Sequence, residues 1–350
     1  MKPYVRLYAR LVAIPLVLVL TSRSLLPQSI QQGLPGRPSE TTLTRLVPTP
    51  SVWPNRHMMA FSPDGLRLAA AEIDGRVVLW NTTTGTSAFT IRACVQSAPG
   101  VRISPDGMRI LTFCPHECCI HLWEANDGTL VKTIQLWCVL NVAWSPDSQW
   151  LAVEVKPKRA NLQSPAALYD VPVTVINLST EEQVVSFRSR LNTEMLFTPA
   201  GQLITTCAVR KSCMWEIPSG RQIRSFPGIE DPGAICCGGH KLFWGEWVSV
   251  PMLGFSVLRL RMHLLDLDTG LDTELHIKKD VVPEAVATDH VAFRHKVAKG
   301  SPILIYSIAQ MKFVQELPGG TESTLNAAFS PDSRILAVMG RSTIRIWRGY

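Results

Sequence analysis

The sequence lacks the short motifs that mark common catalytic sites. It contains no Gly-x-Ser-x-Gly nucleophile turn, no phosphate-binding loop, no His-Glu-x-x-His motif and no haem-attachment sequence. Its aspartate-rich turns, such as residues 266–268, lack the flanking ligands of a calcium loop. These absences argue against the common hydrolases, nucleotide-driven enzymes and c-type cytochromes, and we expect no cofactor and no resident metal.

Charged residues are scarce, and acidic residues are missing altogether before Glu40. Only 18% of the chain is charged and 46% is hydrophobic, which is typical of a globular protein with a large core. The net charge of +7 comes mainly from residues 1–39, because the remainder holds 30 basic and 28 acidic residues, a net of +2. We therefore infer no nucleic-acid binding from the charge.

Residues 1–24 have the layout of a signal peptide. Three basic residues precede the apolar run Leu11–Leu20, which is too short for a comfortable membrane span. No Ala-x-Ala cleavage site is present and Arg23 follows the run, so an uncleaved membrane anchor and a transit peptide stay open as alternatives. We expect an extracytoplasmic protein, secreted or periplasmic, that contacts a membrane only through this segment if it is uncleaved. Residues 25–41 are predicted to be a flexible linker.

A repeat of about 40 residues occupies the rest of the chain. The pentapeptide Phe-Ser-Pro-Asp-Gly at 61–65 recurs 42 residues later at Ile103 and a further 41 residues later at Trp144. Weaker copies begin at Phe197 and Phe329. Proline presets a negative φ and glycine accepts a positive φ, so each copy predicts a tight turn between two strands. A third strand, often ending in tryptophan, and a fourth strand complete each unit.

These motifs resemble the WD-repeat β-propeller family, and the resemblance spans residues 42–350. It implies an all-β fold of seven four-stranded antiparallel blades, in which each sheet packs against its neighbours. The last blade holds only three strands, so Thr42–Val47 is expected to supply the fourth strand and close the ring. The Gly-His pair that usually precedes the inner strand is missing throughout, which indicates a divergent, bacterial-type member.

Two repeats carry extra length between their second and third strands, a position that shares one face of the ring with the links between blades. The excess is about residues 156–172 in the third repeat and 245–258 in the fifth. Loops on a rigid frame often hold binding residues, so this top face is the predicted partner site, although tolerated surface variation explains the insertions equally well. The candidate residues are Lys158, Arg159, Tyr169, Glu246, Trp247, Met252 and Phe255.

Nine cysteines are present, and two pairs fall on opposite strands of predicted hairpins. Cross-strand neighbours lie close enough for a disulfide, which predicts Cys114–Cys119 and Cys207–Cys213. Buried free thiols are the alternative. Zinc bound by Cys114, His116, Cys118 and Cys119 is a third interpretation, but this spacing matches no standard zinc pattern.

The resemblance implies a monomeric, non-catalytic scaffold that binds a protein or peptide. The alternative is an extracytoplasmic enzyme or ligand sensor that uses the central channel. Arg102 and Glu194 are the only charged residues in or beside the predicted inner strands, and histidines such as His57 show no mutual spacing. The predicted inner strands therefore offer few charged side chains from which a catalytic cluster in the channel could form.

Overall fold

The structure is a computed structural model in which 28 strands form seven four-stranded antiparallel sheets within the described residues. It describes residues 38–45, 57–95, 97–114, 116–136, 138–156, 171–189, 194–208, 210–229, 232–252, 255–277, 281–295, 300–320, 322 and 324–350. The predicted seven-bladed β-propeller is confirmed. The predicted leader, residues 1–24, and most of the predicted linker lie outside the described residues.

The first four blades contain strands β2 to β17. Blade 1 consists of β2 (Met59–Phe61), β3 (Arg67–Ala71), β4 (Arg76–Asn81) and β5 (Ser87–Arg92), and blade 2 of β6 (Gly100–Ile103), β7 (Arg109–Cys114), β8 (Cys119–Glu124) and β9 (Leu130–Gln135). Blade 3 consists of β10 (Val139–Trp144), β11 (Trp150–Val155), β12 (Val171–Asn177) and β13 (Gln183–Ser189), and blade 4 of β14 (Leu196–Phe197), β15 (Leu203–Ala208), β16 (Lys211–Trp215) and β17 (Gln222–Pro227).

The remaining strands form blades 5 to 7. Blade 5 consists of β18 (Pro232–Cys236), β19 (Lys241–Met252), β20 (Phe255–Asp266) and β21 (Asp272–Leu275), and blade 6 of β22 (Val281–Val286), β23 (His290–His295), β24 (Ile303–Ser307) and β25 (Lys312–Leu317). Blade 7 consists of β26 (Asn326–Phe329), β27 (Ile335–Met339), β28 (Thr343–Arg348) and β1 (Ser39–Thr44). No helix long and apolar enough to cross a membrane occurs in this described part of the chain.

The repeated Ser-Pro-Asp-Gly segment forms a closed set of hydrogen bonds between the first two strands of a blade. In blade 1, the Ser62 hydroxyl donates to Asp64 Oδ1 and accepts the Arg67 amide at 2.9 Å, while the Leu66 amide donates to the same aspartate oxygen at 2.9 Å. Gly65 adopts the left-handed φ of +71° that the reversal requires. The turn is thus specified by residues within five positions of one another.

The ring closes by pairing the N-terminal strand with the last strand of blade 7. Strand β1 is antiparallel to β28, with Ser39 opposite Arg348 and Thr44 opposite Thr343. A closing strand was expected at 42–47, but it lies three residues earlier and begins inside the segment predicted to be a linker. Arg45 follows the strand, and its side chain is buried, with only 3% of its surface exposed.

The extra length of blade 5 is a regular hairpin, whereas the sequence suggested an inserted loop. Strands β19 and β20 pair continuously from Lys241–Asp266 to Met252–Phe255. Alternating and β-branched residues such as Val248 and Val250 favour this extension of the strands. Of the predicted insertion of blade 3, about residues 156–172, residues 157–170 lie outside the described residues.

Candidate functional site

A cavity of about 860 Å³ opens at the mouth of the central channel and is lined by residues of blades 4 to 7. Its wall includes Glu246 and Trp247 of β19 and Glu284 of β22. It also includes residues from two links between blades, Glu194 and Leu325. The cavity therefore lies on the face where the sequence predicted a partner site.

Two ion pairs form part of the cavity wall. Arg210, in the turn after β15, places its Nη2 atom 3.0 Å from Glu246 Oε2. Arg294 of β23 places its Nε atom 2.6 Å from Glu284 Oε1. The first pair joins blade 4 to blade 5 across the cavity rim, so the wall presents paired charges of both signs.

A group of polar residues within blade 5 lies behind Glu246. His263 Nδ1 lies 2.9 Å from Asp272 Oδ2, and its Nε2 atom lies 3.9 Å from Glu246 Oε1. The Trp244 indole donates to Asp272 Oδ1 at 3.0 Å, and its ring stacks on His263 with centroids 4.3 Å apart. His263 is thus a packed neighbour of Glu246, at a separation too long for a hydrogen bond, and the hydrogen bonds of this group fix Asp272 and Trp244.

Trp247 provides the apolar part of the site. Its side chain is 55% exposed, which is unusual for a large aromatic residue next to a cavity. Met252 and Phe255 pair at the far end of the same hairpin, about 17 Å along the strand from Trp247 at about 3.3 Å per residue. The structure thus brings Glu246 and Trp247 to the cavity and separates them from the hairpin tip. Lys158, Arg159 and Tyr169 lie outside the described residues.

A polar cluster that the sequence did not reveal lies beside the channel. Arg102 of β6 places its Nη2 atom 3.5 Å from His57 Nε2, and that nitrogen lies 3.9 Å from Glu194 Oε1. The Arg102 Nε–H donates to the Val142 carbonyl at 3.4 Å. Burial lowers the pKa of Arg102, and the Glu194 carboxylate opposes that shift. His57, Arg102 and Glu194 come from three blades or links, so no local spacing relates them.

The disulfides are Cys94–Cys114 and Cys207–Cys213, with Cα–Cα distances of 5.9 and 5.8 Å. The second joins the hairpin pair that the sequence suggested. The predicted Cys114–Cys119 bond is wrong, although these two residues are cross-strand neighbours. Cys114 bonds instead to Cys94, in the link between blades 1 and 2, because the packing of one blade on the next brings that link over the end of β7.

Cys119 remains a free thiol beside the Cys94–Cys114 disulfide. Its Sγ atom lies 3.2 Å from His121 Nε2. Burial raises the pKa of Cys119, helped by the Glu117 carboxylate, whereas burial lowers the pKa of His121. Among the described residues, two sets of side chains bring possible metal-ligand atoms within 4.8 Å of one another. One set is Cys114, Cys119 and His121, and the other is Cys94, Cys114 and Glu117. Neither set contains His116 or Cys118, so the zinc set considered from the sequence does not form.

Comparison with known families matches residues 57–81 to the WD domain, G-beta repeat. The mouse WD repeat and SOCS box-containing protein 1 is 28% identical over 99 residues, which are 27% of this chain and 23% of that protein. The Periodic tryptophan protein 2 homolog of Dictyostelium discoideum is 25% identical over 175 residues, which are 49% of this chain and 18% of that protein. The chain spans less than a quarter of the length of these curated relatives.

Solved structures with similar folds cover nearly the whole propeller. Hydrazine synthase of Kuenenia stuttgartiensis superposes with a TM-score of 0.66 at 15% identity, over 87% of this chain and 97% of that chain. The Cps50 (Swd1) β-propeller domain of Myceliophteria thermophila superposes with a TM-score of 0.64 at 17% identity, over 89% of this chain and 99% of that chain. At these identities the similarity shows the fold alone.

Proposed function

We propose that this seven-bladed propeller, whose residues 57–81 match the WD domain, G-beta repeat, is a non-catalytic scaffold which binds a protein or peptide segment at the mouth of its central channel. Propellers of this family are typical protein-interaction scaffolds. The observation that carries the proposal is the exposed Trp247 at the edge of the 860 Å³ cavity, next to the Arg210–Glu246 pair.

The chemistry of this wall suits a peptide better than a purely apolar ligand. Trp247 offers a rigid aromatic surface of the kind that dominates protein interfaces. Around it, Arg210, Glu246, Glu284 and Arg294 offer donors and acceptors of both signs. A segment with one apolar anchor residue flanked by polar backbone and side chains matches this pattern.

The proposal includes a location outside the cytoplasm and a monomeric propeller. The two disulfides support the location, because such bonds persist mainly in oxidising compartments. The pairing of β1 with β28 supports the monomer, because it leaves no open sheet edge at the seam.

The proposal is tested by placing a photo-crosslinking amino acid at position 247 of the full chain in its native host. The matched control carries the same amino acid at Met108, which is 64% exposed in the turn between β6 and β7. That turn lies at the opposite face of the ring from the hairpin of β19 and β20. We expect a protein adduct from position 247 that Arg210→Ala weakens, and none from position 108. Equal adducts from both positions, or none from either, would overturn the proposal.

A ligand-sensing role is the second candidate, and the cluster of His57, Arg102 and Glu194 favours it. These groups place a half-buried guanidinium and a buried imidazole beside the channel, where a small polar ligand would find fixed hydrogen-bond partners. A melting-temperature screen of the purified chain against small metabolites separates the two roles. A sensor gives a stabilising ligand whose effect Arg102→Met abolishes and Trp247→Ala preserves.

A further inference from the structure

We propose that Cys94, Cys114, Cys119 and His121 bind a zinc ion once the Cys94–Cys114 disulfide is reduced. Nothing in the proposed scaffold function requires this site, and it stands on a different part of the ring, between blades 1 and 2. The disulfide and the zinc complex are alternative states of the same residues, so the redox state of the surroundings selects between them.

Three of the ligands are already assembled. Cys114 and Cys119 are paired across β7 and β8, and His121 lies two residues beyond Cys119, so their side chains share one face of the sheet. The ligand atoms of Cys114, Cys119 and His121 all lie within 4.8 Å of one another. A tetrahedral zinc ion with Zn–S about 2.3 Å and Zn–N about 2.0–2.1 Å separates neighbouring ligand atoms by about 3.6–3.8 Å. The three groups therefore need only small adjustments around an ion.

Cys94 supplies the fourth ligand after reduction. It is 1% exposed and packs in one cluster with Cys114 and Cys119. Its sulfur is already bonded to that of Cys114, so breaking the bond lets the two atoms separate to the distance that two zinc-bound thiolates require. The resulting set of three cysteines and one histidine is a common structural zinc site.

His121 is oriented for metal binding by a contact from the neighbouring strand. Its Nδ1 atom lies 2.9 Å from Thr133 Oγ1 of β9, while Nε2 points toward Cys119. A hydrogen bond at one ring nitrogen fixes the tautomer and directs the lone pair of the other nitrogen, as is usual for zinc-bound histidines. The Thr133 contact therefore leaves Nε2 of His121 as the nitrogen that faces the cysteines.

Glu117 is the competing ligand, since its carboxylate lies within 4.8 Å of the Cys94 and Cys114 sulfur atoms. It already accepts a hydrogen bond from the Val95 amide and so holds the link that carries Cys94. Zinc in a thiolate-rich site also prefers an imidazole to a carboxylate. We therefore assign Glu117 to positioning Cys94 and His121 to the metal.

The chemistry balances with one named co-reactant, a dithiol reductant. The reductant passes two electrons and two protons to the Cys94–Cys114 disulfide and becomes a disulfide itself. Zn²⁺ then binds the three thiolates and the neutral imidazole, and the thiols of Cys94, Cys114 and Cys119 release three protons. In the reverse exchange, the disulfide form of that co-reactant accepts two electrons from the Cys94 and Cys114 thiolates and two protons from solvent. The Cys94–Cys114 bond re-forms, which removes two ligands and expels the ion.

The test uses Co²⁺ as a spectroscopic substitute for Zn²⁺ in the purified full chain, reduced with a phosphine that does not bind the metal. We expect one equivalent of Co²⁺, with the visible bands of tetrahedral thiolate coordination, and displacement of these bands by Zn²⁺. His121→Ala and Cys119→Ser should each weaken Co²⁺ binding by at least about tenfold, since even changes next to metal ligands weaken binding about 10–100-fold. The unreduced protein should show no bands.

The matched controls are His116→Ala and Cys118→Ser, which change the same residue types on the same turn outside the assigned set. Both should bind Co²⁺ as the unmodified chain does. The melting temperature of each variant, measured without reductant, verifies that the variant folds. The proposal is overturned if the reduced chain binds no Co²⁺, if His121→Ala and Cys119→Ser bind it unchanged, or if His116→Ala abolishes the bands.

Discussion

Arg45 Nη2 lies 2.9 Å from Glu72 Oε2, and both side chains are completely buried. Arg45 follows the closing strand β1, whereas Glu72 follows β3 of blade 1. The same guanidinium donates to the carbonyls of Ala71 and Gly340 at 3.1 and 3.2 Å. One side chain therefore connects the closing strand, the first blade and the last blade at the seam of the ring.

Removing one partner of this pair should destabilise the whole propeller. Arg45→Met removes the guanidinium 2.9 Å from the buried Glu72 carboxylate, for which we expect a loss of about 3–5 kcal/mol in the free energy of unfolding. Urea denaturation followed by tryptophan fluorescence measures it. The double variant Arg45→Met with Glu72→Leu should recover most of the loss, because no buried charge is left unpaired.

The control for this prediction is Arg76→Met, which removes a partly exposed arginine paired with Asp74 at 2.7 Å. Ion pairs near the surface contribute about 0–1 kcal/mol, so this variant should stay within that range. A similar loss of stability from Arg45→Met and Arg76→Met would contradict the prediction that the buried Arg45–Glu72 pair stabilises the seam of the ring.

The observed disulfide pairing can be read from peptide masses. Digestion without reduction should give a linked fragment containing Cys94 and Cys114, and five of the nine thiols should react in the unfolded, unreduced chain. Loop closure predicts that losing Cys94–Cys114 destabilises the chain by about 3 kcal/mol, and losing the shorter Cys207–Cys213 loop by about 2 kcal/mol. A fragment linking Cys114 to Cys119 instead would show that the cross-strand pair forms.

The serine–aspartate turns should make the stability of the fold depend on pH in the acidic range. The Ser62 hydroxyl donates to Asp64 and lowers the pKa of that carboxyl, with further lowering from the Leu66 amide. Because the folded pKa lies below the ordinary value of about 3.9, this stabilisation is present above pH 4 and is lost as the pH falls through the folded pKa. The urea midpoint of the unmodified chain should therefore fall more steeply below pH 4 than that of Asp64→Asn.

Ser62→Ala provides the matching control, because it removes the hydrogen-bond donor and keeps the carboxylate. If the hydroxyl is the main cause of the shift, the acid dependence of this variant should lie between those of the unmodified chain and Asp64→Asn, because the Leu66 amide still lowers the pKa of Asp64. The double variant should match Asp64→Asn. Parallel acid profiles for Ser62→Ala and the unmodified chain would instead assign the effect to other charges.

A buried hydrogen bond should stabilise the third strand of blade 2. The Trp123 indole donates to the Thr112 hydroxyl at 2.9 Å, and Thr112 is fully buried in β7. Thr112→Val keeps the shape but leaves the indole without its acceptor, so we expect a loss of about 1–3 kcal/mol by urea denaturation. Thr90→Val on the exposed edge strand β5 should change stability by less than about 0.5 kcal/mol. Equal effects of the two substitutions would argue against the indole contact.

Much of the fold was predictable because its units are specified by neighbouring residues. Ser62, Asp64 and Arg67 complete their hydrogen bonds within six positions, and the alternation of buried and exposed residues within each strand is equally local. Repetition of this unit about every 40 residues then implied a ring, and the unpaired last blade implied a closing strand. The sequence could place that strand only approximately, because its pairing with β28, a strand about 300 residues away along the chain, determines where it begins and ends.

The site was predictable only in outline. Extra length in blade 5 pointed to Glu246 and Trp247, but their separation from Met252 and Phe255 follows from the hairpin that the insertion forms. The sequence alone determined the blades, their turns and the face that carries the added residues, since these depend on contacts within one repeat. The tertiary structure decided the Arg45–Glu72 seam, the cluster of His57, Arg102 and Glu194, and the Cys94–Cys114 bond. Each of these joins residues from different blades or links, and only the packing of the closed ring brings such residues within bonding distance.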